Sequence, residues 1–108
     1  MNLIELVCFF RDGGSFENFC DMKSLNKESE VVEIYMRESY DLGNQLAFIA
    51  IEESNGAIEM LLEDVKYLNL FDFYFFIDAI EEVNNDQNKS LSDADIAAYL
   101  LSLAINDA

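Results

Sequence analysis

The sequence has no histidine and no proline, and its 108 residues include only four glycines, two cysteines and six bases. Each shortage removes a class of chemistry. Without histidine the chain lacks the side chain that most often moves protons near neutral pH, and the usual partner of a serine or cysteine nucleophile. Zinc sites of the common kinds need histidine or more than two cysteines. Gly13-Gly14 has neither the spacing nor the following lysine of a phosphate-cradling loop. Carboxylates are so numerous that a pair of them is no sign of acid–base catalysis. The chain reads as a non-catalytic protein without a cofactor.

The lack of proline and scarcity of glycine also exclude a linker-rich chain. Hydrophobic residues make up 52%, with nine Phe, five Tyr and four Met. That supplies an ordinary core, and residues 1–108 read as one acidic globular domain. Cys8 and Cys20 each sit beside aromatic residues and read as small buried thiols, not as a disulfide. The first residues, MNLIELVCFFRD, carry Glu5 and no basic flank, so they are not expected to be a signal peptide. No apolar run reaches the length of a membrane span. The expected location is the cytoplasm.

What the chain has in excess is negative charge. Twenty-two Asp and Glu oppose six Lys and Arg, a formal net charge of −16. Nucleic acid and anionic membranes are excluded as partners by this field, since both are bound through basic contacts. Basic proteins and cations are attracted. Between Glu38 and Asp86 the only base is Lys66, so the acidity belongs to the folded middle of the chain. A solvated face that aids solubility is the plainer meaning of such a charge. Its size on so short a chain points towards a partner surface.

Periodicity gives an α+β arrangement. Leu3, Ile4, Val7, Cys8 and Phe10 are spaced for a helix from Asn2 to Arg11, stopped by Asp12-Gly13-Gly14-Ser15. Phe16 to Leu25 allows one helical turn or two. Val32, Ile34 and Met36 alternate with Glu33 and Arg37, as in a strand. Leu46 to Ile51 reads as a central strand, and Asn55-Gly56 is a strong hairpin signal. Ala57 to Leu68 supports two readings. Ile58, Leu61, Leu62, Val65 and Leu68 fit one helical face, but the Asn-Gly turn favours a strand from Ala57 to Glu63 paired back across it. Phe73, Phe76, Ile77, Ile80 and Val83 fit a helix. Ser92 and Asp95 form a capping-box pattern before Ile96, Tyr99, Leu100, Leu103 and Ala104, so a last helix runs from Asp93 to Asn106. The expected fold is an N-terminal helix, a small antiparallel sheet within residues 30 to 64, and two C-terminal helices packed on it.

Two local patterns bear on binding. Asn84, Asp86, Asn88, Ser90, Ser92 and Asp95 place oxygen-bearing side chains at the positions of an EF-hand calcium loop, with Leu91 at its apolar position. Lys89 stands where glycine makes the sharp turn, Asn84 replaces the leading Asp, and Asp95 is shorter than the bidentate Glu. A polar link whose Ser92 and Asp95 cap the last helix accounts for the same residues better. In Phe71 to Phe76 (FDFYFF), Phe73 and Phe76 are the core pair, and Phe71, Tyr74 and Phe75 fall on other faces. An exposed Tyr or Phe among carboxylates is what an interface anchor looks like. The expected contact surface comprises Glu52, Glu53, Glu59, Glu63, Asp64, Asp72, Asp78, Glu81 and Glu82, with Tyr67 and Tyr74 as anchors.

In size, acidity, lack of catalytic groups and mixed α/β patterning, the chain resembles the immunity proteins of bacterial contact-dependent inhibition and polymorphic toxin systems. No motif carries the resemblance, so it transfers no residues. It implies a basic partner, a cognate toxin nuclease domain, blocked by carboxylates set where phosphates would lie. Three other functions use the same residues: a DNA mimic acting against restriction or CRISPR, a calcium-binding module on the loop from Asn84 to Asp95, and an adaptor whose charge only maintains solubility.

Overall fold

A computed structural model describes residues 1–25, 28–29, 31–85 and 91–106. The first helix, α1 (Leu3–Arg11), begins in a reciprocal capping box. The Asn2 side chain accepts from the Glu5 N–H, and the Glu5 carboxylate accepts from the Asn2 N–H, both at 2.9 Å. Such a cap stabilises a helix start by about 1 kcal/mol. Leu3, Leu6, Val7 and Phe10 form its buried face. Gly13, at φ +95°, lets the chain leave the helix. A second helix, α2 (Phe16–Lys23), follows under a Ser15 cap, so Phe16 to Leu25 makes two turns.

Four antiparallel strands follow: β1 (Val32–Arg37), β2 (Leu46–Ala50), β3 (Glu59–Leu62) and β4 (Val65–Asp72). A single helical turn, α3 (Ile51–Ser54), lies between β2 and β3. The strand order is β2-β1-β4-β3. Two long helices end the fold, α4 (Phe73–Asn85) and α5 (Asp93–Asn106).

The α+β arrangement is as expected, with three corrections inside it. The sheet runs on past residue 64 to Asp72, because β4 occupies Val65–Asp72. Leu46 to Ile51 is not central: β2 is an edge strand, and β1 and β4 form the middle. Asn55-Gly56 makes no hairpin. Asn55, at φ 54°, is the left-handed cap that ends α3, and the strand after it pairs with β4. The hairpin turn is Glu63-Asp64, with both residues at positive φ (50° and 67°). That is the geometry of a two-residue turn matched to strand twist.

The core lies on one side of the sheet. Val32, Ile34, Met36 and Leu70 face it and meet α1, α4 and α5. Phe73 is its hub. Its ring packs 5.0 to 5.9 Å from those of Phe10, Phe16, Phe19, Phe48 and Phe76, which come from α1, α2, β2 and α4. Its contacts with Phe10, Phe16 and Phe76 are edge-to-face, and contacts of this kind add about 0.5–1.5 kcal/mol each beyond burial. α1 sits centrally among the helices, packing on both α4 and α5.

Residues 51–57 cover the opposite face of the sheet around Glu33, Tyr35 and Asn69. Ser54 donates to one Glu33 carboxylate oxygen at 2.9 Å, and the Asn69 amide donates to the other at 2.8 Å. The Tyr35 hydroxyl donates to the Ala57 carbonyl at 2.5 Å. Glu33, expected on a polar outer face, is therefore buried with both carboxylate oxygens hydrogen-bonded. Among the described residues no helix is long and apolar enough to cross a membrane.

Candidate functional site

The acidic and aromatic side chains singled out in the sequence fall into three places. Tyr74, Asp78, Glu81 and Glu82 are exposed on successive turns of α4. Asp72 stands at the start of that helix, where its carboxylate accepts from the Phe75 N–H at 2.8 Å and so acts as a cap. Glu63 and Asp64 form the β3–β4 turn, at the other end of β4. Eight residues of strand at about 3.3 Å each put that turn about 26 Å from α4. Glu59 is on the edge strand β3. Glu52 and Glu53 are on α3, across the sheet from α4, and Glu52 accepts from the Ser29 hydroxyl at 2.8 Å. Tyr67 is half-buried on the α3 side of β4 and does not meet Tyr74. The expected surface from Glu52 to Glu82 is thus divided, and only its α4 part clusters.

That part borders a wide groove. α4 and α5 each pack on α1 and β4 but not closely on each other, and a groove of about 900 Å³ opens between them. The α4 wall is Phe75, Ala79 and Val83, with Asp78 and Glu82 beside them. The facing α5 wall is Tyr99 and Leu103, with Asp95 near one end and Leu91 before the helix. A hollow of about 150 Å³ under Leu70 and Phe71 shares Phe75 and Leu103 with it. Tyr99 and Tyr74 are each 60% exposed and Phe75 is 40% exposed, while the neighbouring Phe73 and Phe76 are buried.

The sequence produces this arrangement by ordinary helix rules. Phe73, Phe76 and Ile80 recur at core spacing, which turns Phe75, Asp78, Ala79 and Glu82 towards the gap. α5 is positioned at its start. Ser92 accepts from the Asp95 N–H at 3.1 Å, and the Asp95 carboxylate faces the Ser92 N–H at 3.4 Å. Arg11 of α1 donates to the Leu91 carbonyl at 2.8 Å and pairs with Asp93 at 2.9 Å. Ile96, Ala97, Leu100, Leu101 and Ala104 are then buried. Tyr99, grouped with them by spacing, is instead exposed on the groove.

Of the residues considered for calcium, Asp86, Asn88 and Ser90 and the Asn84 side chain lie outside the described residues; Asp95 belongs to the α5 cap. Among the described residues no three carboxylates or thiols converge to hold a metal ion. Cys8 and Cys20 form no disulfide; Cys20 is buried and Cys8 half-buried. The Cys8 thiol is pushed up from its ordinary pKa, first by hydrogen bonding with Asp93 and then by Asp12, 3.5 Å away. A thiol held protonated is a weak nucleophile.

Phe75, Val83, Tyr99 and Leu103 were not identified as site residues from the sequence. One signal was present: α5 carries apolar residues beyond its spaced set, Ala98, Leu101 and Ile105, so more of its surface is apolar than one core-facing stripe needs. Comparison of the chain with protein-family models, with curated proteins and with solved structures gives no match.

Proposed function

We propose that the chain is an immunity-type inhibitor that binds and neutralises a basic toxin domain, a nuclease, in the cytoplasm. One observation carries this reading: Asp78, Glu81 and Glu82 are exposed on α4 beside exposed Tyr74, Phe75 and Tyr99. Carboxylates in such a row occupy a basic cleft as phosphates would. The net charge speeds encounter with a basic partner, and the effect weakens as salt shortens the Debye length to about 8 Å at physiological strength. Aromatic side chains, once desolvated, slow dissociation. Charge and aromatics thus have separate kinetic roles.

Co-purification of the tagged chain with the product of the neighbouring gene, at low and high salt, tests the reading. A complex that abolishes a nuclease activity of that product supports it. Within the complex, reversing Asp78, Glu81 and Glu82 to lysine is expected to slow association about tenfold or more at low salt. Tyr74→Ala is expected to raise the dissociation rate instead. Unchanged association by the triple variant removes α4 as the contact surface.

A further inference from the structure

We infer that the groove between α4 and α5 is the seat of a single amphipathic α-helix of the partner, apolar along one stripe and carrying Lys or Arg on both flanks. The inference rests on the reading that the partner is a basic protein, and it specifies which part of that partner enters.

The backbone decides the form of the occupant. Both walls are α-helices, whose main-chain N–H and C=O groups are already hydrogen-bonded within each helix. The groove therefore presents side chains and no open strand edge. A peptide entering it must satisfy its own backbone groups, and a helix does so. β3 offers a strand edge, but it lies elsewhere in the fold, across β4 from the middle of the sheet.

The dimensions agree. From Phe75 to Val83 the α4 wall rises about 12 Å, at about 1.5 Å per residue. A helix about 10 Å across fills roughly 900 Å³ over that length, the same order as the groove. Two turns fit, which calls for apolar residues at i, i+4 and i+7 facing Phe75, Ala79, Tyr99 and Leu103. Because α4 and α5 both rest on α1 and not closely on each other, a helix here fills the gap between them in the helix layer.

Charge selects the flanks. Asp78 and Glu82 lie one turn apart on one wall and Asp95 on the other, and among the described residues the lining includes no base. A helix with bases on one flank only would leave one rim facing water, whereas bases on both meet both rims. A second copy of this chain is a poor occupant. Its own exposed helix faces carry Asp78, Glu81, Glu82 and Asp95, and like charges would oppose across the contact.

The test uses three synthetic helical peptides of about 14 residues, roughly four turns. One has leucine in an i, i+4, i+7 stripe between lysines. The second has the same composition scrambled to destroy the stripe, and the third has glutamate in place of lysine. Binding is read by fluorescence anisotropy and by NMR shifts of the isotope-labelled protein. The striped lysine peptide is expected to bind about tenfold or more tightly than the other two, with shifts concentrated at Phe75, Ala79, Tyr99 and Leu103. Ala79→Arg, which fills the groove and adds a base, is expected to abolish that binding. Glu82→Lys, at an exposed position, is expected to weaken it severalfold should the first variant fail to fold.

Equal binding of the striped and scrambled lysine peptides, or shifts centred on Glu59 to Asp64 or on α3, overturns the groove but leaves a basic partner intact. Equal binding of lysine and glutamate peptides sinks both. Concentration-dependent shifts of the groove residues without peptide would assign the groove to a second copy. No binding by any peptide overturns the inference.

Discussion

On one side of β1, Val32 and Ile34 are buried in the apolar core beneath the helices. One residue away on the same strand, Glu33 and Tyr35 are equally buried, yet their polar atoms meet a hydroxyl, an amide and a carbonyl. The helix face is held by shape and contact area, which fall off gradually as atoms are removed. The α3 face is held by directed bonds, which fail when one partner is lost and leave the others buried without one. In an alternating strand both solutions can exist back to back, because each side chain sees only its own face.

Four substitutions probe that contrast by urea unfolding. The largest expected effect is on the helix face, where Ile34→Ala should cost about 3 kcal/mol through lost burial and a cavity. Glu33→Ala should cost about 2 kcal/mol, because the Ser54 hydroxyl and the Asn69 amide lose their acceptor. Glu33→Gln should recover part of that loss, since its carbonyl still serves Asn69 and the Ser54 hydroxyl can turn to accept. No recovery would mean that volume, not hydrogen bonding, holds this face as well. The smallest effect is expected from Ser54→Ala, about 1 kcal/mol. It should also speed amide exchange in residues 55–57 while leaving α1 and α4 unchanged. Uniform acceleration would show that α3 does not open apart from the core.

The helices were legible because their signals are local. Ser92 caps α5 where its pattern with Asp95 puts it, and Phe73, Phe76 and Ile80 recur at one-face spacing; Ser15, read with the stop after α1, is instead the cap of α2. The sheet was legible in kind and not in pairing. Asn55-Gly56 and Glu63-Asp64 both have two consecutive residues at positive φ, 54° and 72° in one and 50° and 67° in the other. Sequence preference marks the first pair as the turn between strands. The structure uses it to leave α3 and makes the hairpin from the pair with the poorer preference. The choice is not local: β2 pairs with β1 on one edge, and the strand after α3 pairs with β4 at the far side of the sheet.

The candidate site was half legible for a related reason. Exposed carboxylates on α4 follow from its helical period. Whether Phe75 and Tyr99 face a core or a gap depends on how far α5 stands from α4, and that distance is set by their common packing on α1. No window of the sequence contains it. Glu33 teaches the same lesson in reverse, since its burial depends on Ser54 and Asn69, 21 and 36 residues away.

The bond between Arg11 and Asp93 joins positions 82 residues apart, and α1 packs against α5 along the same seam. During synthesis the first helix leaves the ribosome long before the helix that covers it has been made. At about 5–20 residues per second the wait is roughly 4 to 16 s. Through that interval α1 lacks its α5 contacts. A nascent chain stopped before Asp93 presents the uncovered seam of α1 to any chaperone in reach, and the groove acquires its second wall only when the last helix arrives.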